Sequence, residues 1–169
     1  VLNPPPTLQC ESNVNNQGWQ IENDCAVSIC SGGNLKLSVN PNVNTVSWSG
    51  PNSFTASGND ITVSTSITTA QAGNYTATLT DANGCTGTAT IVVTVNQTPT
   101  AGITGGSSVC SGNCITLTAT GGGTYKWSNG PTTAANYVCP TTATEYTVTV
   151  TSATGGCTAT AKRKVTINT

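Results

Sequence analysis

The residue type with most to say about chemistry is cysteine. Eight occur, at positions 10, 25, 30, 85, 110, 114, 139 and 157, in a chain with no histidine. Zinc takes its cysteines from two close-spaced pairs, or from cysteine with histidine. Here Cys110-x-x-x-Cys114 is the one tight pair and nothing answers it. The cysteines therefore read as disulfides, which implies an oxidising, extracellular setting. The missing histidine also removes the ordinary nucleophile–base triad. The six acids, Glu11, Glu22, Asp24, Asp60, Asp81 and Glu145, are scattered rather than paired as glycoside hydrolysis requires. The reading is a non-enzyme with no cofactor and no metal. Asp81-Ala82-Asn83-Gly84 could offer oxygens to calcium, but no Asp-x-Asp-x-Asp loop surrounds it, and a tight turn is the better account.

What chemistry is left is recognition. Sugar-binding sandwiches stack pyranose rings on exposed aromatic side chains, and this chain has eight aromatics. Trp48, Trp127, Tyr75 and Tyr146 fall in the inward phase of their strands, and Tyr125 shares the face of Trp127. Trp19, Phe54 and Tyr137 are then the candidate ligand contacts, for polysaccharide or a cell-surface glycan. Trp19 has a competing role, capping an open end of the first sandwich, because a lone large apolar residue prefers burial. The basic run Lys162-Arg163-Lys164 holds the only Arg in the chain. Alignment with the first half sets Arg163 against Ile91, in the inward phase, where an unpaired guanidinium is very costly. A β-bulge or an early end to the core is the expected escape, and protection of a sheet edge is the expected role. Net charge is −1 and 7% of residues are charged. Neither a nucleic-acid footprint nor a membrane-spanning run is present.

These residues must be held by strands. Thr makes up about one residue in five, and its branched Cβ suits a pleated, half-exposed face. Gly and Pro punctuate short Thr/Val runs as turns do. The pattern occurs twice. Ser28-Ile29-Cys30-Ser31-Gly32 followed by Leu35-Lys36-Leu37 is matched by Ser108-Val109-Cys110-Ser111-Gly112 and Ile115-Thr116-Leu117. Trp48-Ser49 answers Trp127-Ser128, Tyr75 to Leu79 answers Tyr146 to Val150, and each copy closes on Gly-Cys-Thr and a last strand. Residues 1–25 read as a linker and disulfide-closed extension, 26–97 as one module and 98–169 as a second. Modules of about seventy residues need staples. Eight cysteines allow about a hundred pairings. Equivalent positions should pair equivalently, which gives Cys30–Cys85 and Cys110–Cys157, each worth roughly 4 kcal/mol. Chain locality then gives Cys10–Cys25 and Cys114–Cys139.

The combination Cys-x-Gly, Leu-x-Leu or Ile-x-Leu, Trp-Ser and Gly-Asn-Tyr-Thr-Ala-Thr-Leu-Thr-Asp-Ala-Asn-Gly-Cys resembles the Ig-like or PKD-like tandem repeats of large secreted proteins of Bacteroidota. The resemblance covers residues 26–168. Cys114 and Cys139 are extra to its usual pair, and Trp48-Ser49-Gly50 stands where PKD repeats carry Trp-Asp-Phe-Gly-Asp-Gly, so Ig-like is the closer description. It implies an all-β fold of two tandem, disulfide-stapled, antiparallel immunoglobulin-like sandwiches on the cell surface or secreted. Such repeats sit in adhesins and beside the catalytic domains of polysaccharide-degrading enzymes. Three roles follow: a spacer or adhesion unit, a carbohydrate-binding accessory module, or a filament subunit that self-associates through residues 1–25. Neighbouring domains of the same polypeptide are the nearest partners.

Overall fold

A computed structural model describes residues 8–10, 19–21, 25–39, 45–80, 82–84 and 86–168, with side chains from residue 26 onward. The chain divides into two compact units, residues 1–97 and 98–169.

Among the described residues the first unit holds nine strands: β1 (Leu8–Cys10), β2 (Trp19–Ile21), β3 (Cys25–Cys30), β4 (Leu35–Val39), β5 (Thr45–Gly50), β6 (Phe54–Ser57), β7 (Asp60–Ser64), β8 (Gly73–Thr80) and β9 (Thr86–Asn96). They form two sheets, β2-β1-β4-β7 and β3-β9-β8-β5-β6. Period-two alternation decides what meets between them. Leu35, Leu37 and Val39 of β4 face Trp48, Tyr75, Ala77, Leu79, Ile91 and Val93, all buried. Thr76, Thr78 and Thr80 take the intervening positions and are half-buried on the other side of β8.

The second unit repeats the plan with β10 (Gly102–Thr104), β11 (Ser108–Cys110), β12 (Ile115–Thr120), β13 (Thr124–Trp127), β14 (Ala135–Val138), β15 (Thr144–Thr151) and β16 (Thr158–Asn168). Its sheets are β10-β12-β14 and β11-β16-β15-β13. Leu117, Ala119, Trp127, Val138, Tyr146, Val148, Val150 and Val165 make the core.

Each of the two core tryptophans is set against a smaller residue on the next strand, Trp48 opposite Ala77 and Trp127 opposite Val148. The indole N–H of each must also be satisfied once buried. Trp48 donates to the Gly58 carbonyl at 3.0 Å and Trp127 to the Thr133 carbonyl at 2.9 Å. Tyr75 solves the same problem by donating its hydroxyl to the Gln71 carbonyl at 2.9 Å. That carbonyl is positioned by a 3-10 turn over Thr69–Gln71, closed by the Thr68 N–H donating to the Gln71 side chain. The Tyr75 ring lies directly on β5, where a Cβ at Gly50 would come within 2.5 Å of it. Only glycine fits there.

Two features depart from the sequence reading. The sheets are antiparallel except for one pair in each unit: β3 runs parallel to β9, and β11 parallel to β16. In unit two the chain enters on β10, beside β12, then crosses to the opposite sheet as β11. Leu8–Cys10 and Trp19–Ile21, which the sequence places in an N-terminal extension, also supply strands: Leu8 pairs with Val39, and Trp19 to Ile21 pair antiparallel with β1. Sheet hydrogen bonding draws them in, because β4 would otherwise present an open edge on that side.

Burial raises the Tyr75 hydroxyl above its ordinary pKa of 10.0, by desolvation. The folded state therefore favours neutral tyrosine. Stability from this group is intact below pH ~10 and is lost as pH climbs through the raised value. Tyr75→Phe should lower the unfolding free energy of unit one by about 1 kcal/mol at neutral pH. It should also flatten the alkaline loss of stability. Denaturant unfolding at neutral and alkaline pH, compared between variant and parent, checks both.

Candidate functional site

The outer face of β10-β12-β14 is built by three strands whose inward residues are Leu117, Ala119, Asn136 and Val138. The opposite phase shows Thr104, Thr116, Thr118, Thr120, Ala135 and Tyr137 to solvent. Tyr137 is 71% exposed and stands directly across from Thr116. Thr118 pairs with Ala135 on one side and Thr104 on the other, and the Thr104 hydroxyl donates to the Thr118 carbonyl at 3.3 Å. Inside the unit, Asn136 is buried and exchanges two amide hydrogen bonds with Asn129, at 2.9 and 3.2 Å, so β14 is tied to the turn after β13. Cys114 and Cys139 are joined with a Cα–Cα separation of 4.1 Å, which closes the end of the β12–β14 ladder two residues beyond Tyr137.

The other two aromatic candidates are placed differently. Phe54 is half-buried and packs edge-on against Tyr75, ring centroids 5.5 Å apart at 71°. It is a flank of the core rather than a free platform, because the turn over Pro51–Ser53 swings β6 back onto β5. Trp19 opens β2 opposite Cys10, and its side chain lies outside the described residues.

Cysteine positions follow from the parallel pairs. Cys110 stands level with Asn168 at the far end of β16, whereas Cys157 precedes Thr158 at its start. Ten residues of strand separate the two ends, about 33 Å, and a disulfide spans no more than about 7 Å between Cα atoms. The expected Cys110–Cys157 bond is therefore corrected: Cys110 is a free, exposed thiol, and Cys157 is buried and disulfide-bonded elsewhere. Cys30, the equivalent of Cys110, stands level with Asn96 and is disulfide-bonded. Its expected partner Cys85 lies outside the described residues, as do the side chains of Cys10 and Cys25.

The basic run lies on β16 where its only strand partner among the described residues is β15, since β11 pairs with Thr166 to Asn168 alone. Lys162 forms an ion pair with Glu145 at 3.0 Å, both well exposed, a contact of at most about 1 kcal/mol. Arg163 lies across from Tyr146, and the register runs unbroken from Thr144↔Val165 to Thr151↔Thr158. No bulge relieves it. Its guanidinium instead donates to the Gly105 carbonyl, at the crossover from β10 to β11, while its Nε is buried without a partner. Gly105 holds φ +119, and a Cβ there would meet the Thr116 carbonyl at 2.6 Å. The sequence pattern flagged the residue correctly but could not supply the carbonyl that receives it.

Among the described residues no group of His, Cys, Asp and Glu could hold a metal ion, and no helix is long and apolar enough to cross a membrane. Ala82 to Gly84 form the expected turn, and Asp81 lies outside the described residues.

No protein-family model matches the chain, and no curated protein sequence does either. Solved structures do. The insect immune protein hemolin aligns at a TM-score of 0.50 and 11% identity, over 96% of this chain and 55% of its own. Murine CEACAM1b aligns at 0.43 and 17%, over 87% of this chain and 100% of its own. Three N-terminal domains of the bacteriophage RB49 outer capsid protein Hoc align at 0.41 and 21%, over 96% and 59%. This chain thus spans a little over half of the hemolin and Hoc chains. Both units are immunoglobulin-like sandwiches.

Immunoglobulin-like domains place a tyrosine near the start of the penultimate strand, its hydroxyl bonded to backbone upstream, with a cysteine of the inter-sheet disulfide two residues later. Tyr75 keeps the first feature here, whereas Ala77 and Val148 occupy the position of that cysteine, and both are fully buried. At those two positions apolar packing stands in place of that cysteine, and the described cysteines Cys30, Cys110, Cys114 and Cys139 lie at or next to strand ends.

Two measurements check this arrangement. A maleimide offered to the native protein should label Cys110 and leave Cys157 untouched until reduction. Replacing Cys114 and Cys139 together by Ala should destabilise unit two by up to about 3.5 kcal/mol, from the 25-residue separation it closes. The midpoint of unit one should not move.

Proposed function

We propose that the chain is a non-catalytic, extracellular pair of immunoglobulin-like modules that serves as a spacer and adhesion unit of a larger secreted or surface protein. One observation carries this. The same sandwich is built twice, and each copy spends its interior on packing while turning a sparsely charged, hydroxyl-rich surface outward. The described acids support it: Glu145 is occupied by Lys162, and Asp60 is exposed at the start of β7. Disulfides fit an oxidising compartment. The resemblance to Bacteroidota repeats suggests a bacterial surface as the setting.

A second reading is favoured by Tyr137, whose exposed ring on a rigid strand suits a carbohydrate-binding accessory role. A filament assembled by donation of residues 1–25 has less support, because β1 already pairs with β4 of its own unit.

The test uses beads carrying the chain, passed over surfaces coated with polysaccharides, matrix proteins or whole cells. Retention above blank beads on at least one surface is expected, together with no turnover of glycoside, ester or peptide substrates. Retention on none, or turnover that tracks protein concentration, would overturn the proposal.

A further inference from the structure

The two units form an internal comparison, because one template is used twice. On the outer face of unit one, β4 and β7 place Lys36 directly across from Thr62. The equivalent pair in unit two is Thr116 and Tyr137. A solvated cation and a small hydroxyl have thus given way to a small hydroxyl and a large flat ring. The same sheet also carries the Cys114–Cys139 staple, for which the repeat in unit one has no counterpart. A ring, a neutral floor and an added brace coincide on one face.

From this we infer that the outer face of β10-β12-β14 is a saccharide platform, with Tyr137 stacking against a neutral sugar ring and Thr104, Thr116 and Thr118 meeting its hydroxyls. The inference rests on the binding reading above and names its ligand. Three arguments select the occupant. Thr104, Thr116, Thr118, Thr120, Ala135 and Tyr137 carry no charge, and Arg163, whose guanidinium reaches the end of β10, is engaged by the Gly105 carbonyl, which together match a neutral glycan.

Size is the second argument. Three strands about 4.8 Å apart and four residues of about 3.4 Å each give a paired area on the order of 200 Å². A stable protein interface needs about 800 Å² from each partner, whereas one or two sugar rings fit.

Geometry is the third. Ala135 is the same-face neighbour of Tyr137 along β14, so one flank of the ring is left open, and Thr116 stands about 5 Å away across the ladder. That is within reach of a hydroxyl on a ring stacked over the tyrosine. The staple and the paired Asn136–Asn129 amides hold β14 in place before any ligand arrives, which reduces the ordering penalty of binding.

The test is a nuclear magnetic resonance titration of the isotopically labelled full chain with neutral hexasaccharides: cellohexaose, laminarihexaose, mannohexaose and xylohexaose. At least one should shift amide resonances confined to β10, β12 and β14. Tyr137→Thr, which installs the residue of unit one and suits a strand, should weaken that binding about tenfold, while Tyr137→Phe should keep it within about twofold. Unchanged thermal unfolding of both variants separates lost binding from lost fold. No shift with any probe overturns the inference, as does a shift mapped elsewhere or equal binding by Tyr137→Thr. If the beads are still held by matrix proteins in those cases, the adhesion role stands and the sugar assignment alone fails.

Discussion

The constraint on which both units depend is the filling of a thin sandwich by one tryptophan that must also satisfy its own N–H. Side chains from the two inner faces must interdigitate to fill about 10 Å between sheets, and in each unit one large residue takes a large share of that volume. Trp48 and Trp127 provide it, and each requires a smaller residue opposite and a backbone carbonyl at its edge. Ala77 and Val148 meet the first need, and the carbonyls of Gly58 and Thr133 meet the second. The turns that carry those carbonyls are therefore structural members rather than idle connections. Tyr75 extends the same logic outward, tying the start of β8 to the turn before it and serving as the surface on which Phe54 rests.

Much of this was legible in the residues. The Thr/Val alternation marks the strands, their phase separates core from surface, and Trp48, Trp127, Tyr75 and Tyr146 lie where that phase puts them. The crossing of the entry strand from one sheet to the other was not legible, because a three-residue strand such as β11 has no period of its own to read. Its parallel register moves Cys110 to the end of β16 that lies away from Cys157. A repeat in the sequence shows that two cysteines are equivalent; it does not show how far apart the strands carry them.

The surface follows a similar rule. Phase alone distinguishes Tyr137 from Tyr146, and it does so correctly. It fails for Phe54, whose burial depends on a turn with two residues at positive φ, Asn52 and Ser53, which no alternation encodes. Arg163 shows the reverse case. Its inward phase is real, yet the charge is led out sideways to the Gly105 carbonyl rather than by a bulge, and only the path of the crossover brings that acceptor within reach.

The parallel pairing has a mechanical side. Tension on a polypeptide passes through its folded units in series, and strands that run parallel from opposite termini resist by sliding, with their rungs strained together. Unit one sets six residues of β3 against β9, from Cys25↔Ile91 to Cys30↔Asn96. Unit two sets three, from Ser108↔Thr166 to Cys110↔Asn168. Fewer rungs share such a load in unit two, and there the Cys114–Cys139 bond holds the two ends of its loop together whatever becomes of the rungs.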